Sequence, residues 1–253
     1  MTGGGVPIKV VRQRTSKTRL KMHWDYPVYV AQEELAIEES DSETVAVYAR
    51  KALPREESFD WIAGEDPRPL LVLRECQWCN GTDWALLNAS QDNEKTLLLA
   101  QWFHCVKLPN DVLEADHPFT SLFEDKTPPH LFVCSTDGSN IIPLRGDQSR
   151  TELWSAMSTI LEQEYTKDAK KTVQEYMKLL ADYDTIDSME DWRQEQLDAA
   201  VEKHGPDSRQ AKKIRKQLAE LAKKKAKAME REAELRDLGL KKKADQGQAV
   251  TQR

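Results

Sequence analysis

The stretch PLLVLRECQWCNGTD (residues 69–83) decides how the chain is read. Its first part is an unbroken apolar run, the pattern of a strand covered on both faces. Its second part spaces Cys76 and Cys79 as C-x-x-C beside Trp78, and a helical pattern follows over residues 83–99. Strand, cysteines and helix in that order set a thiol at a helix N-terminus, where exposed N–H groups and the helix dipole stabilise a thiolate. A zinc site needs about four ligands. The C-x-x-C pair supplies two, Cys105 and Cys134 sit inside strand patterns, and His104 points to the sheet face opposite Cys105. No metal site is expected, and no cofactor is implied.

Working outward, TVAVYA (residues 44–49) reads as a strand and SFDWIAG (58–64) as a short helix opened by Ser58. WFHCVKL (102–108) is a second central strand. HLFVCSTDGSNIIPLRG (130–146) is a hairpin turned at Asp137-Gly138. SRTELWSAMSTIL (149–161) is a helix with Trp154, Met157 and Leu161 on one face. The order is β-α-β-α-β and then β-β-α, which predicts an α/β fold. Cys105 and Cys134 read as small buried hydrophobes, and Trp61, Trp84, Trp102 and Trp154 as core.

The charge is unevenly distributed. The chain carries 37 Lys and Arg against 43 Asp and Glu, a net charge of −6. Both ends are basic and the middle is strongly acidic, so the net value says little about partners. Residues 1–41 form a basic and then acidic segment, read as partly disordered, with a short strand over residues 26–30. Beyond Tyr165 strand-like runs disappear and Ala, Glu, Lys, Gln and Leu take over. One helix is expected to about Tyr183 and another after a capping box at Ser188 and Asp191. HGPDS breaks that helix, and Asp207 or Ser208 caps a last one to about Leu238. Ile214, Leu218, Leu221, Ala228 and Leu235 step at 4-3 spacing, interrupted by Lys225 and Glu232 at the seam. Residues 166–240 are therefore a charged helical or coiled-coil extension, best read as an antiparallel hairpin or a helix awaiting a protein partner. Residues 241–253 read as a disordered tail.

SFDWIAGEDPRPLLVLRECQWCNGTD and TPPHLFVCSTDGSNIIPLRG together resemble the thioredoxin family over residues 42–165. That resemblance implies a central mixed sheet flanked by helices. It places Pro129 at the family's cis-proline position, Gly138 in the hairpin turn and Gly146 before the last helix of the domain. Aligning Leu71-Val72 with the family strand puts Trp78-Cys79 on the family's Trp-Cys, Cys79 on its nucleophile and Thr82 on its resolving cysteine. Cys76 then lies upstream of the usual pair. The competing register makes Cys76 the nucleophile but leaves no tryptophan before it. The favoured motif is C-x-x-T, a monothiol in which the Thr82 hydroxyl donates to the Cys79 thiolate. A Cys76–Cys79 disulfide would need a turn, because three extended residues span about 10 Å, beyond the roughly 4.4–6.8 Å between bridged α-carbons.

The resemblance also implies that Trp78, Pro128 and Pro129 line the substrate groove, and that the partners are protein thiols or disulfides. Several residues depart from the family. Asp83 stands at a commonly basic position, and Glu75 is also close to the thiol. Leu73 replaces the buried acid, and Pro128 has no N–H to pair with a substrate strand. The implied activity is thiol–disulfide exchange or thiol sensing, and the alternative is a protein-interaction module. No membrane span or secretory signal is present, and four cysteines make no disulfide scaffold, so the cytoplasm is the expected compartment. Nucleic acid is not an expected partner, because the lysines of the last helix read as surrounding it and no aromatic residue interleaves to stack on bases.

Overall fold

The computed structural model describes residues 11–29, 51–75, 93–145 and 148–241. Its elements are α1 (Arg14–Arg19), α2 (Arg55–Ala63), β1 (Leu70–Arg74), α3 (Glu94–Ala100), β2 (His104–Leu108), β3 (Leu131–Cys134), β4 (Ile142–Leu144), α4 (Arg150–Glu164), α5 (Ala169–His204) and α6 (Arg209–Arg236). Two short 3-10 turns, Asn110–Leu113 and Thr120–Phe123, lie between β2 and β3.

The four strands form one mixed sheet in the order β2-β1-β3-β4. β1 runs parallel to β2 and antiparallel to β3, and β3 turns back into β4. The apolar run is thus central, with its first four residues buried. Leu71 and Leu73 join Cys105, Leu131 and Val133 beneath α3, α4 and α5. Leu70 and Val72 face the other way, joining Val106, Leu108, Phe132 and Cys134 beneath Phe59, Ile62, Phe119 and Phe123. The period-2 alternation of each strand splits the core into these two layers.

Local chemistry sets several element ends. Ser149 caps α4 in a capping box, accepting from the Glu152 N–H (3.3 Å) while Glu152 accepts from the Ser149 N–H (2.5 Å). α2 is opened four residues before the expected Ser58, with Pro54 as its N-cap, and the Pro54 carbonyl accepts the Ser58 N–H. The Ser58 hydroxyl is drawn away to Ser121 (2.9 Å). Trp102 is buried as expected and Trp154 half-buried, but Trp61 is exposed on α2. Trp84 and the expected strand at residues 44–49 lie outside the described residues.

The helical extension departs from expectation at residues 184–188. α5 is one helix of 36 residues, and no cap interrupts it at Ser188. The carboxylates just before Ser188 serve other groups. Asp184 accepts from the Gln13 N–H and from Arg12 (both 2.7 Å). Asp187 accepts from the Thr15 N–H and hydroxyl (both 2.8 Å) and from Lys225 (2.9 Å). With those two carboxylates engaged across the fold, they do not compete for the helix's own backbone.

α6 is capped by Ser208, whose hydroxyl accepts the Ala211 N–H at 3.2 Å. It returns antiparallel along α5: Lys225 meets Asp187, Glu232 meets Tyr176, and the Gly239 carbonyl meets the Thr166 N–H. Val173, Tyr176, Leu180 and Tyr183 of α5 belong to the same core cluster as the sheet, so the core runs unbroken across residue 165.

The basic N-terminal segment is docked over residues 11–29, beside the acidic side of α5. Arg12 is buried in a bidentate pair with Glu94 (2.7 and 2.7 Å), and Arg14 reaches Asp191 (2.6 Å). Asp25 then bridges to the outer edge of β2, accepting from Lys107 N–H and donating to the Cys105 carbonyl (both 2.8 Å). Residues 26–29 form no strand.

Candidate functional site at the end of the central strand

β1 delivers the chain into the cysteine stretch from the middle of the sheet. At its C-terminal end the Arg74 N–H donates to the His130 carbonyl (2.8 Å), and the Glu75 N–H donates to the Leu108 carbonyl (2.8 Å). Residue 75 is therefore held between the end of β2 and the start of β3. Cys76, Trp78, Cys79 and Thr82 follow immediately and lie outside the described residues, as does Gly146.

One acid of this rim is neutralised by a neighbouring lysine. Lys107 pairs with Glu75 at 2.6 Å, so the acid next to Cys76 meets a cation rather than standing alone. The Arg74 guanidinium lies over the Phe123 ring at 6.0 Å, and burial pulls its pKa below the ordinary value. The His130 ring is half-buried, with Nδ1 3.3 Å from the Arg74 carbonyl oxygen.

Pro128 and Pro129 reach this rim, but the expected cis bond is corrected. No cis peptide occurs among the described residues, so the bond before Pro129 is trans. The trans isomer is the preferred one even before proline, and the chain makes its strand-like bond from Arg74 to His130 with it in place.

The two described cysteines stand on opposite faces of the sheet and are 4% and 0% exposed. Burial pushes the Cys105 and Cys134 thiols up to about 12. The Cys105 thiol donates to the Ala100 carbonyl at 3.6 Å. In the folded protein at about pH 8, neither is expected to react with iodoacetamide, as judged by peptide mass spectrometry, since the thiolate is the nucleophile. Prompt labelling of either cysteine would contradict this burial.

A cleft of about 450 Å³ opens at the opposite end of the parallel strands. Asp66 and Arg68 form a forked pair on its wall (2.6 and 3.0 Å), and His104 Nε2 lies 3.3 Å from Asp25. Buried His104 Nδ1 has no hydrogen-bond partner among the described residues. The cleft can hold a small polar molecule. The adjacent Cys105 sulfur does not supply a nucleophile there, being a protonated thiol committed to Ala100. Sequence reasoning missed this place because one wall is the docked N-terminal segment, and no local pattern announces where that segment lands.

Compared with family models, curated proteins and solved structures, the chain has no match. Among the described residues no helix is long and apolar enough to cross a membrane.

Proposed function

We propose that this chain is a thiol-based redox protein of thioredoxin type, acting as a monothiol through Cys79. The observation that supports the reading is the position of β1. It is central in a β2-β1-β3-β4 sheet, parallel to one neighbour and antiparallel to the other, and it runs directly into Cys76–Thr82. Ligands of open α/β sheets bind at such strand ends, where the connections diverge. The Lys107–Glu75 pair further supports it, because it offsets a carboxylate that would otherwise oppose a thiolate.

In this reading the Cys79 thiolate attacks one sulfur of a substrate disulfide. A Cys79–substrate disulfide forms, and the other sulfur leaves as a thiolate that takes up a proton. An external thiol or Cys76 then displaces the substrate by the same exchange. Thr82 donates its hydroxyl to the Cys79 thiolate, and Trp78, Pro128 and Pro129 border the groove.

A second reading is favoured by one observation. Pro128 has no N–H, and Pro129 is trans, so the loop lacks the backbone edge that would pair with a substrate strand. On that reading the domain is a protein-interaction module using its groove or its helical extension. The rate of Cys79 alkylation against pH separates the two. A thiol pKa clearly below about 8.5, lost effect in Cys79→Ser and retained partner trapping in Cys76→Ser support the redox protein. A Cys79 pKa at or above that value rejects it in favour of the interaction module.

A further inference from the structure

Beyond Ile186 in α5 and before Ala228 in α6, the helices leave the main core and pack on one another through Ala200, Ala211, Ile214 and Leu221. On this projecting arm α6 presents Arg209, Lys212, Lys213, Lys216, Lys223, Lys224 and Lys227, all exposed. At about 100° per residue they fall within a sector of roughly 120°, on the side of the helix away from the buried seam. The lysines thus do not surround the helix. Two cations of α6 over this span lie outside the sector: Lys225 faces inward and is taken up by Asp187 (2.9 Å) and Glu190 (2.8 Å), and Arg215 donates to the Pro206 carbonyl (2.6 Å).

A single acid interrupts the strip. Glu220 pairs with Lys223 at 3.0 Å, and that lysine, with Lys216 and Lys224, holds its carboxyl below the ordinary value. Lys212 sits 3.7 Å from Asp207. Arg209, Lys213, Lys216, Lys224 and Lys227 have no carboxylate within 4.0 Å among the described residues. From Arg209 to Lys227 the strip runs about 27 Å at 1.5 Å per residue.

We propose that the outer face of α6 docks on the phosphate backbone of a nucleic-acid duplex. A strip of this length spans about eight base pairs, over which a duplex presents two rows of phosphates. Six of its seven cations are lysines, which meet phosphates as point charges without reading bases. No aromatic side chain interleaves with them, so the strip has nothing on which the bases of a single strand would stack. It also holds no leucine, tryptophan or phenylalanine to enter a lipid surface. Binding is therefore electrostatic and independent of sequence, and it does not depend on Cys79.

The test is fluorescence anisotropy on the full chain with 20-base-pair DNA and RNA duplexes, a 20-nucleotide oligothymidylate strand and polyglutamate of similar length. Either duplex is expected to bind with log K falling against log salt at a slope of about −4 to −6. The variant Lys213→Gln/Lys216→Gln/Lys224→Gln/Lys227→Gln is expected to lose about 100-fold or more in affinity at about 0.1 M salt, with the slope shallower by about 3–4. Lys171→Gln/Lys178→Gln, on exposed positions of α5, is expected to bind as the unmodified chain does. The DNA and RNA arms identify which duplex is preferred. Polyglutamate or the single strand binding as tightly as a duplex overturns the proposal. So does a fourfold variant that keeps its affinity, or no duplex binding at about 50 mM salt.

Discussion

Replacing Glu232 by alanine is expected to lower the unfolding free energy by about 3–5 kcal/mol, read as a shifted urea midpoint. Glu232 is only 5% exposed yet carries four contacts that join three parts of the chain. It accepts from the Tyr176 and Tyr183 hydroxyls (both 2.9 Å), from Arg19 (2.8 Å) and from Arg236 (2.8 Å). Arg19 and Arg236 reach solvent and would rehydrate after truncation. The two tyrosines are fully buried, so their hydroxyls would be left without an acceptor. A buried polar group without a partner loses about 1–3 kcal/mol, and two of these with the vacated volume give the expected figure. Glu232→Gln keeps an acceptor and is expected to fall between the alanine variant and the parent.

The same carboxylate sets a pH dependence. Burial pushes the Glu232 carboxyl up, but hydrogen bonds from Tyr183, Tyr176 and Arg19 together hold it below its ordinary value of 4.5. Its folded value thus lies under its unfolded one. Its contribution is complete above the unfolded value and is lost as pH falls through the folded one. Asp187 acts in the same direction, held below 3.8 against the effect of burial by Lys225 and Thr15. Stability is expected to be steady above about pH 5 and to decline below it. In Glu232→Gln the decline should be shallower, and an unchanged slope would remove Glu232 from this role.

Gly138→Ala is expected to lower stability by about 3 kcal/mol. Gly138 turns the β3–β4 hairpin at φ +74°, a conformation that costs an L side chain roughly 1–2 kcal/mol. A Cβ there would fall 2.3 Å from the Phe59 ring, inside the second core layer. Phe59 is 3% exposed and packs edge-on against Phe132 at 6.4 Å, so it cannot yield freely. Adding atoms to a filled core costs about 1–3 kcal/mol. In thermal unfolding, Phe59→Leu/Gly138→Ala should be less destabilised than the sum of its single variants, because leucine makes room for the methyl group. Simple additivity would show that the two residues do not press on one another.

The amino-acid pattern by itself determined the four strands of the described sheet. The LLVLR run could be buried on both faces only as a central strand. Apolar runs either side of Asp137-Gly138 marked the hairpin, and Ser149 marked a helix start. Those signals are local, since each partner lies within a few residues. The seam of the helical hairpin was visible too, at Ile214, Leu221, Ala228 and Leu235.

Only the tertiary structure decided what the charged residues do. A helix start at Ser188 and Asp191 looks plausible until Arg12, Thr15 and Lys225 are brought to the neighbouring Asp184 and Asp187, from 172, 172 and 38 residues away. Lys225 and Glu232 look like flaws in a seam until their partners close around them. The lysine strip became one face only when the partners of the inward lysine were known. Apolar residues declare burial by their spacing, because water excludes them wherever they stand. A charge is buried only beside its counter-charge, and which one that is depends on how distant segments meet.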